Sequence, residues 1–74
     1  MTKEMYMQHL SDMNEKKYNL INQLENAKNE FYASEDLKMN EWIEKTIIRL
    51  EHEIEEIERE ILHYIEKNSN LVNN

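Results

Sequence analysis

Residues 43–64 read IEKTIIRLEHEIEEIEREILHY. Within them an apolar residue recurs at alternating spacings of four and three: Ile43, Ile47, Leu50, Ile54, Ile57, Ile61 and Tyr64. At about 3.6 residues per turn these seven side chains form one stripe, the pattern that packs one helix along another. A second run upstream has the same spacing: Tyr6, Leu10, Met13, Lys17, Leu20, Leu24, Ala27 and Phe31, with Lys17 as its polar break. The chain has no Gly and no Pro, so neither run contains a helix breaker.

The two stripes are out of phase. Continuing the first predicts core positions at Ser34, Lys38, Glu41 and Lys45, all polar. The second stripe is displaced by two residues, a rotation of about 200° on a helix. One straight helix would carry the stripes on opposite faces, whereas a break at residues 33–36 lets them meet. The sequence therefore predicts helix 1 over about 3–33, a turn at 33–36 and helix 2 over about 36–67, each helix about 45 Å long. Ser34 is placed as the N-cap of helix 2, with Glu35 and Asp36 in its first turn, where the helix dipole favours acids. The alternative is one continuous helix with a phase slip. The last seven residues include four Asn and one Ser, so fraying is expected over 68–74.

The expected fold is all-α: one domain, residues 1–74, forming an antiparallel, coiled-coil-like helical hairpin. Each helix also carries a second partial stripe, Met7, Tyr18, Ile21 and Tyr32 on helix 1 and Leu37, Ile48, Leu62 and Ile65 on helix 2. So wide an apolar face suits a helix with two neighbours. The expectation is a homodimer forming a four-helix bundle, with a different protein docked on that face as the competing reading. The self-association core is assigned to Ile43, Ile47, Leu50, Ile54, Ile57, Ile61 and Tyr64, with Leu10, Met13, Leu20, Leu24 and Phe31 from helix 1.

A 74-residue chain buries a thin core, and with no Cys it has neither disulfides nor thiolate metal sites to reinforce it. The hydrophobic share of 39% beside 34% charged residues fits long amphipathic helices rather than disorder. Net charge is −7: residues 1–34 carry four Lys and five acids, residues 35–74 five bases and eleven acids. That balance disfavours a nucleic-acid backbone or an anionic membrane as direct partner. Residues 1–6 do not read as a signal peptide, and no segment approaches the ~20 apolar residues of a membrane span. The expected location is the cytoplasm of the producing or host cell. Abundant Asn, Ile, Lys and Glu suggest AT-rich coding, as in a low-GC bacterium or its phage.

Chemistry-bearing candidates are sparse. Glu60 and His63 have the Glu-x-x-His spacing of di-iron bundles. However, Ile61 takes the core position between them, and the core of helix 1 holds no Glu, so no metal site is assigned. Residues 51–60 hold six Glu and one Arg, either a carboxylate rod mimicking nucleic acid or a solvated outer face. Asn19, Asn22, Asn26 and Asn29 form one outward strip, either a recognition surface or a coding bias. Trp42 falls off the stripe and reads either as an interface anchor or as a lid folded onto Phe31 or Tyr32. Lys17 is read as a structural residue that reaches solvent past an apolar stem. A phosphate loop needs Gly, and nothing resembles a nucleophile with its base or a cofactor fingerprint, so no enzyme activity and no cofactor are expected. The functional expectation is a small protein-binding regulator or inhibitor whose partner is another protein, contacted through Trp42 and the Asn strip. An acidic nucleic-acid mimic and an oligomeric assembly scaffold are the alternatives.

Overall fold

Two stripes of matching length can bury each other only if the chain reverses between them, and it does. The computed structural model describes residues 2–70, with helix α1 at Lys3–Ala33 and helix α2 at Leu37–Lys67. Both are 31 residues long and pack antiparallel as a hairpin. Their seam is the pair of four-and-three stripes. Tyr6, Ala27, Ile43, Leu50 and Ile57 are buried, while Leu10, Met13, Lys17, Leu20, Leu24 and Phe31 on α1 and Ile47, Ile54, Ile61 and Tyr64 on α2 are half-buried. The core concentrates toward the turn, where Ala27, Ile43 and Leu50 pack with Leu20, Leu24, Phe31 and Ile47. At the open end the Tyr6 and Tyr64 rings stack at 5.2 Å, and His9 lies 4.6 Å from the Tyr64 ring. Such aromatic pairs add about 0.5–1.5 kcal/mol beyond their burial, and here they join the two helices at the open end of the hairpin.

The turn differs from the sequence expectation in one respect. Asp36, not Ser34, is the N-cap of α2: its Oδ1 accepts from the backbone N–H groups of Lys38 at 2.9 Å and Met39 at 3.2 Å. Ser34 closes α1 instead. Its N–H donates to the Glu30 carbonyl at 3.0 Å, and its Oγ accepts from the Asp36 N–H at 3.2 Å. A carboxylate takes two orphan N–H groups at once, which a hydroxyl two residues earlier cannot reach. Ser34 and Asp36 are both in ordinary extended conformations, with φ/ψ of −90°/137° and −82°/114°. Among the described residues none has positive φ, so this reversal needs no Gly. Asn40, at the first seam position of α2, spans the turn by donating from Nδ2 to the Ser34 carbonyl at 3.2 Å. Its buried Oδ1 accepts no hydrogen bond from the described residues.

At the other ends, Thr2 caps α1 through Oγ1, which accepts from the Met5 N–H at 3.1 Å. Asn68 closes α2, donating from both its backbone N–H and Nδ2 to the Tyr64 carbonyl. Beyond it, after the turn at Asn68, Ser69 and Asn70 again have helical backbone. The rest of the tail on which fraying was expected, 71–74, lies outside the described residues. Among the described residues no helix is long and apolar enough to cross a membrane.

Leu50 is 2% exposed at the centre of the core. Leu50→Ala should cost about 2–5 kcal/mol in urea unfolding. At the turn, Asp36→Ala should cost about 1 kcal/mol and Ser34→Ala less, the reverse of the order expected if Ser34 were the cap.

Candidate protein-binding surface

The antiparallel seam divides the hairpin into two long sides. A residue that follows a seam residue is turned about 100° one way on its helix, and a residue that precedes one is turned the other way. Because α2 runs opposite to α1, the residues that follow lie on one side of the hairpin in both helices. The contacts agree. Lys17 Nζ crosses to Glu58, which follows Ile57, at 3.6 Å. Lys16, which precedes a seam position, shares a hollow on the other side with Glu53, Glu56 and Glu60.

Trp42 precedes Ile43 and is 64% exposed, so it is not a lid over the turn; Phe31 and Tyr32 instead pack edge to face with each other at 5.8 Å. It lines a shallow hollow with Lys45, Thr46 and Arg49. The Thr46 hydroxyl donates to the Trp42 carbonyl at 3.1 Å, so it is spent on the helix's own backbone. An indole sharing a hollow with two cations is an unusual patch on so acidic a chain.

The Asn strip is exposed throughout. Asn19 and Asn26 precede Leu20 and Ala27 and so lie on the Trp42 side, whereas Asn22 and Asn29 point directly away from α2. In the antiparallel register Asn26 and Asn29 stand level with Trp42, because Ala27 packs with Ile43. Of the strip, Asn26 thus shares both the side and the level of Trp42.

The carboxylates of residues 51–60 do not form a single rod. Glu51, Glu55 and Glu58 follow seam residues, while Glu53, Glu56 and Glu60 precede them, so the acids are shared between both sides. Lys17 and Lys16 come from α1 to each group. His52 pairs with Glu56 at 3.1 Å along the same helix. Glu60 and His63 are both exposed, and among the described residues no three His, Cys, Asp or Glu side chains converge on a metal-sized site.

Comparison with family models, with curated proteins and with solved structures returned no match.

Lys17 occupies a half-buried seam position, and its ion pair lies at the surface, where such pairs contribute about 0–1 kcal/mol. Lys17→Leu should therefore stabilise the hairpin by about 1 kcal/mol, raising Tm by roughly 4–8 °C. Glu58→Gln should shift stability by less than about 0.5 kcal/mol in the same melts.

Proposed function

We propose that this chain is a small non-enzymatic regulator or inhibitor of a low-GC bacterium or its phage, working in the cytoplasm by occupying a surface of a larger protein. The observation that carries this reading is the exposed Trp42 in its hollow with Lys45 and Arg49, level with Asn26 and Asn29 of the strip. Aromatic and arginine side chains dominate binding energy at interfaces, and amides on a neighbouring helix supply hydrogen bonds at a rim. In this reading the working unit is a homodimer, two hairpins making a four-helix bundle. No small-molecule cofactor takes part.

A nucleic-acid mimic would work differently, through carboxylates continuous over one surface. The division of the Glu side chains between the two sides of the hairpin, with a lysine among each group, supports the protein-binding reading over it. An assembly scaffold would use repeated contacts between copies and grow beyond a dimer with concentration.

Binding should be measured on the protein that the immobilised chain captures from a lysate of a low-GC bacterium. Trp42→Ala should weaken that complex at least tenfold with helicity unchanged, since a buried interface Trp contributes about 2 kcal/mol or more. Replacing Glu55 and Glu56 with Gln should leave affinity within a factor of about two at physiological salt. The opposite pattern, with a silent Trp42 and a complex dissolved by moderate salt, would establish the mimic instead.

A further inference from the structure

The side of the hairpin away from Trp42 carries apolar residues that the seam leaves exposed. Tyr32 is 82% exposed, Leu37 79%, Ile48 61% and Leu62 58%. Tyr32, Ile48 and Leu62 each follow a seam position, and Leu37, three residues before the seam position Asn40, falls on the same side. With the exposed Met7, Tyr18 and Ile65 and the half-buried Ile21 they make three clusters along one side. The Tyr6–Tyr64 stack sets their levels. Met7 is level with Leu62 and Ile65 at the open end. Tyr18 and Ile21 are level with Ile48 at the middle, and Tyr32 with Leu37 at the turn. On the opposite side the exposed large apolar residues are Met5, Met39 and Trp42, scattered among polar ones.

Charge on the apolar side is unequal between the helices. Between the clusters α1 contributes Glu25 and Lys28, which cancel, with Ser11 and Asn14. From Ile43 to Tyr64, α2 contributes Glu44, Glu51, Glu55 and Glu58 and no base. The Cα envelope measures 55 × 15 × 14 Å. One long side therefore offers roughly 800 Å², about what each partner buries in a standard interface.

Resting on the dimer of hairpins above, we infer that a second copy of this chain covers this side, turn beside turn, with α1 of each copy against α2 of the other. Two symmetric arrangements bury the side in both copies. A two-fold axis across the hairpin sets α2 against the partner's α2, so the four glutamates of one copy oppose those of the other. Like charges brought together at an interface select against that pairing. A two-fold axis along the hairpin sets the charge-balanced helix on the acidic one. All three apolar clusters then meet at their own levels: Met7 on the partner's Leu62 and Ile65, Ile21 on the partner's Ile48, Tyr32 on the partner's Leu37. Lys28 reaches the partner's Glu44. Neighbouring helices in the resulting four-helix bundle are antiparallel, and both Trp42 sides face outward, free for a different protein.

Sedimentation equilibrium and double electron–electron resonance on Glu35→Cys carrying a nitroxide label test this directly, because the chain has no Cys of its own. A dimer with turn beside turn gives a label separation below about 30 Å, since packed helices lie only about 8–10 Å apart. A dimer with the turns at opposite ends gives about 45 Å or more, the length of a helix, and would overturn the arrangement while leaving the dimer standing. A monomer at high micromolar concentration, with no dipolar signal, would overturn both. A second experiment reads the charge pairing. Lys28→Glu and Glu44→Lys should each weaken self-association at least tenfold, and mixing the two variants should restore it as a heterodimer. Equal affinity of the mixture and the separate variants would also overturn the arrangement. Because pairing within a chain is the same in homodimer and heterodimer, the comparison isolates the contact between copies.

Discussion

The seam between α1 and α2 is the constraint from which the rest of this molecule follows. Its two stripes keep a spacing of four and three over nearly the whole of both helices, and the three-residue turn at 34–36 sets which antiparallel register they meet in. The Tyr6–Tyr64 stack at one end and the Ala27–Ile43–Leu50 cluster toward the other hold that register. Isolated helices of this composition would be marginal in water, and burial along the seam supplies most of their stability. Few residues are fully buried, as geometry requires of two cylinders that touch along a line.

Once the register is set, every other residue acquires a side. Residues one position after the seam fall together on one side of the hairpin and residues one position before it on the other, because reversing the second helix reverses the sense of its rotation. This explains why the glutamates of residues 51–60, contiguous along the chain, are split in space. It also explains why Tyr32 and Leu37 stand together across the turn while Trp42, five residues beyond Leu37, stands on the other side. A carboxylate run that looks continuous in one dimension is two interrupted rows in three, each with a lysine from α1 within reach.

The two sides then have different chemistry. One offers aliphatic and aromatic clusters at three levels, with acid concentrated on α2. The other offers a single indole sharing a hollow with two cations, with Asn26 of α1 level with it. With so thin a core, a chain of this size leaves much of its apolar surface outside the seam, and here most of that surface lies on the first side. The apolar side and the Trp42 side are therefore separate surfaces, divided by the seam.

The helical hairpin itself was legible in the sequence. Apolar periodicity, the absence of Gly and Pro, and the phase slip near residue 34 are local signals, and local signals suffice to place helices and the stripe along which each one packs. The cap was not legible from Ser34, Glu35 and Asp36 alone. Three residues able to cap or lead a helix stand together there, and which one becomes the N-cap depends on where α1 stops and how the chain crosses to α2. Asn40 could not be recognised as the strap of the turn, because its bond to the Ser34 carbonyl exists only after the reversal. The partial stripes were visible as patterns on two separate helices. That they share one side, opposite Trp42, is a property of the antiparallel pairing, since no single helix contains the information about which way its neighbour runs.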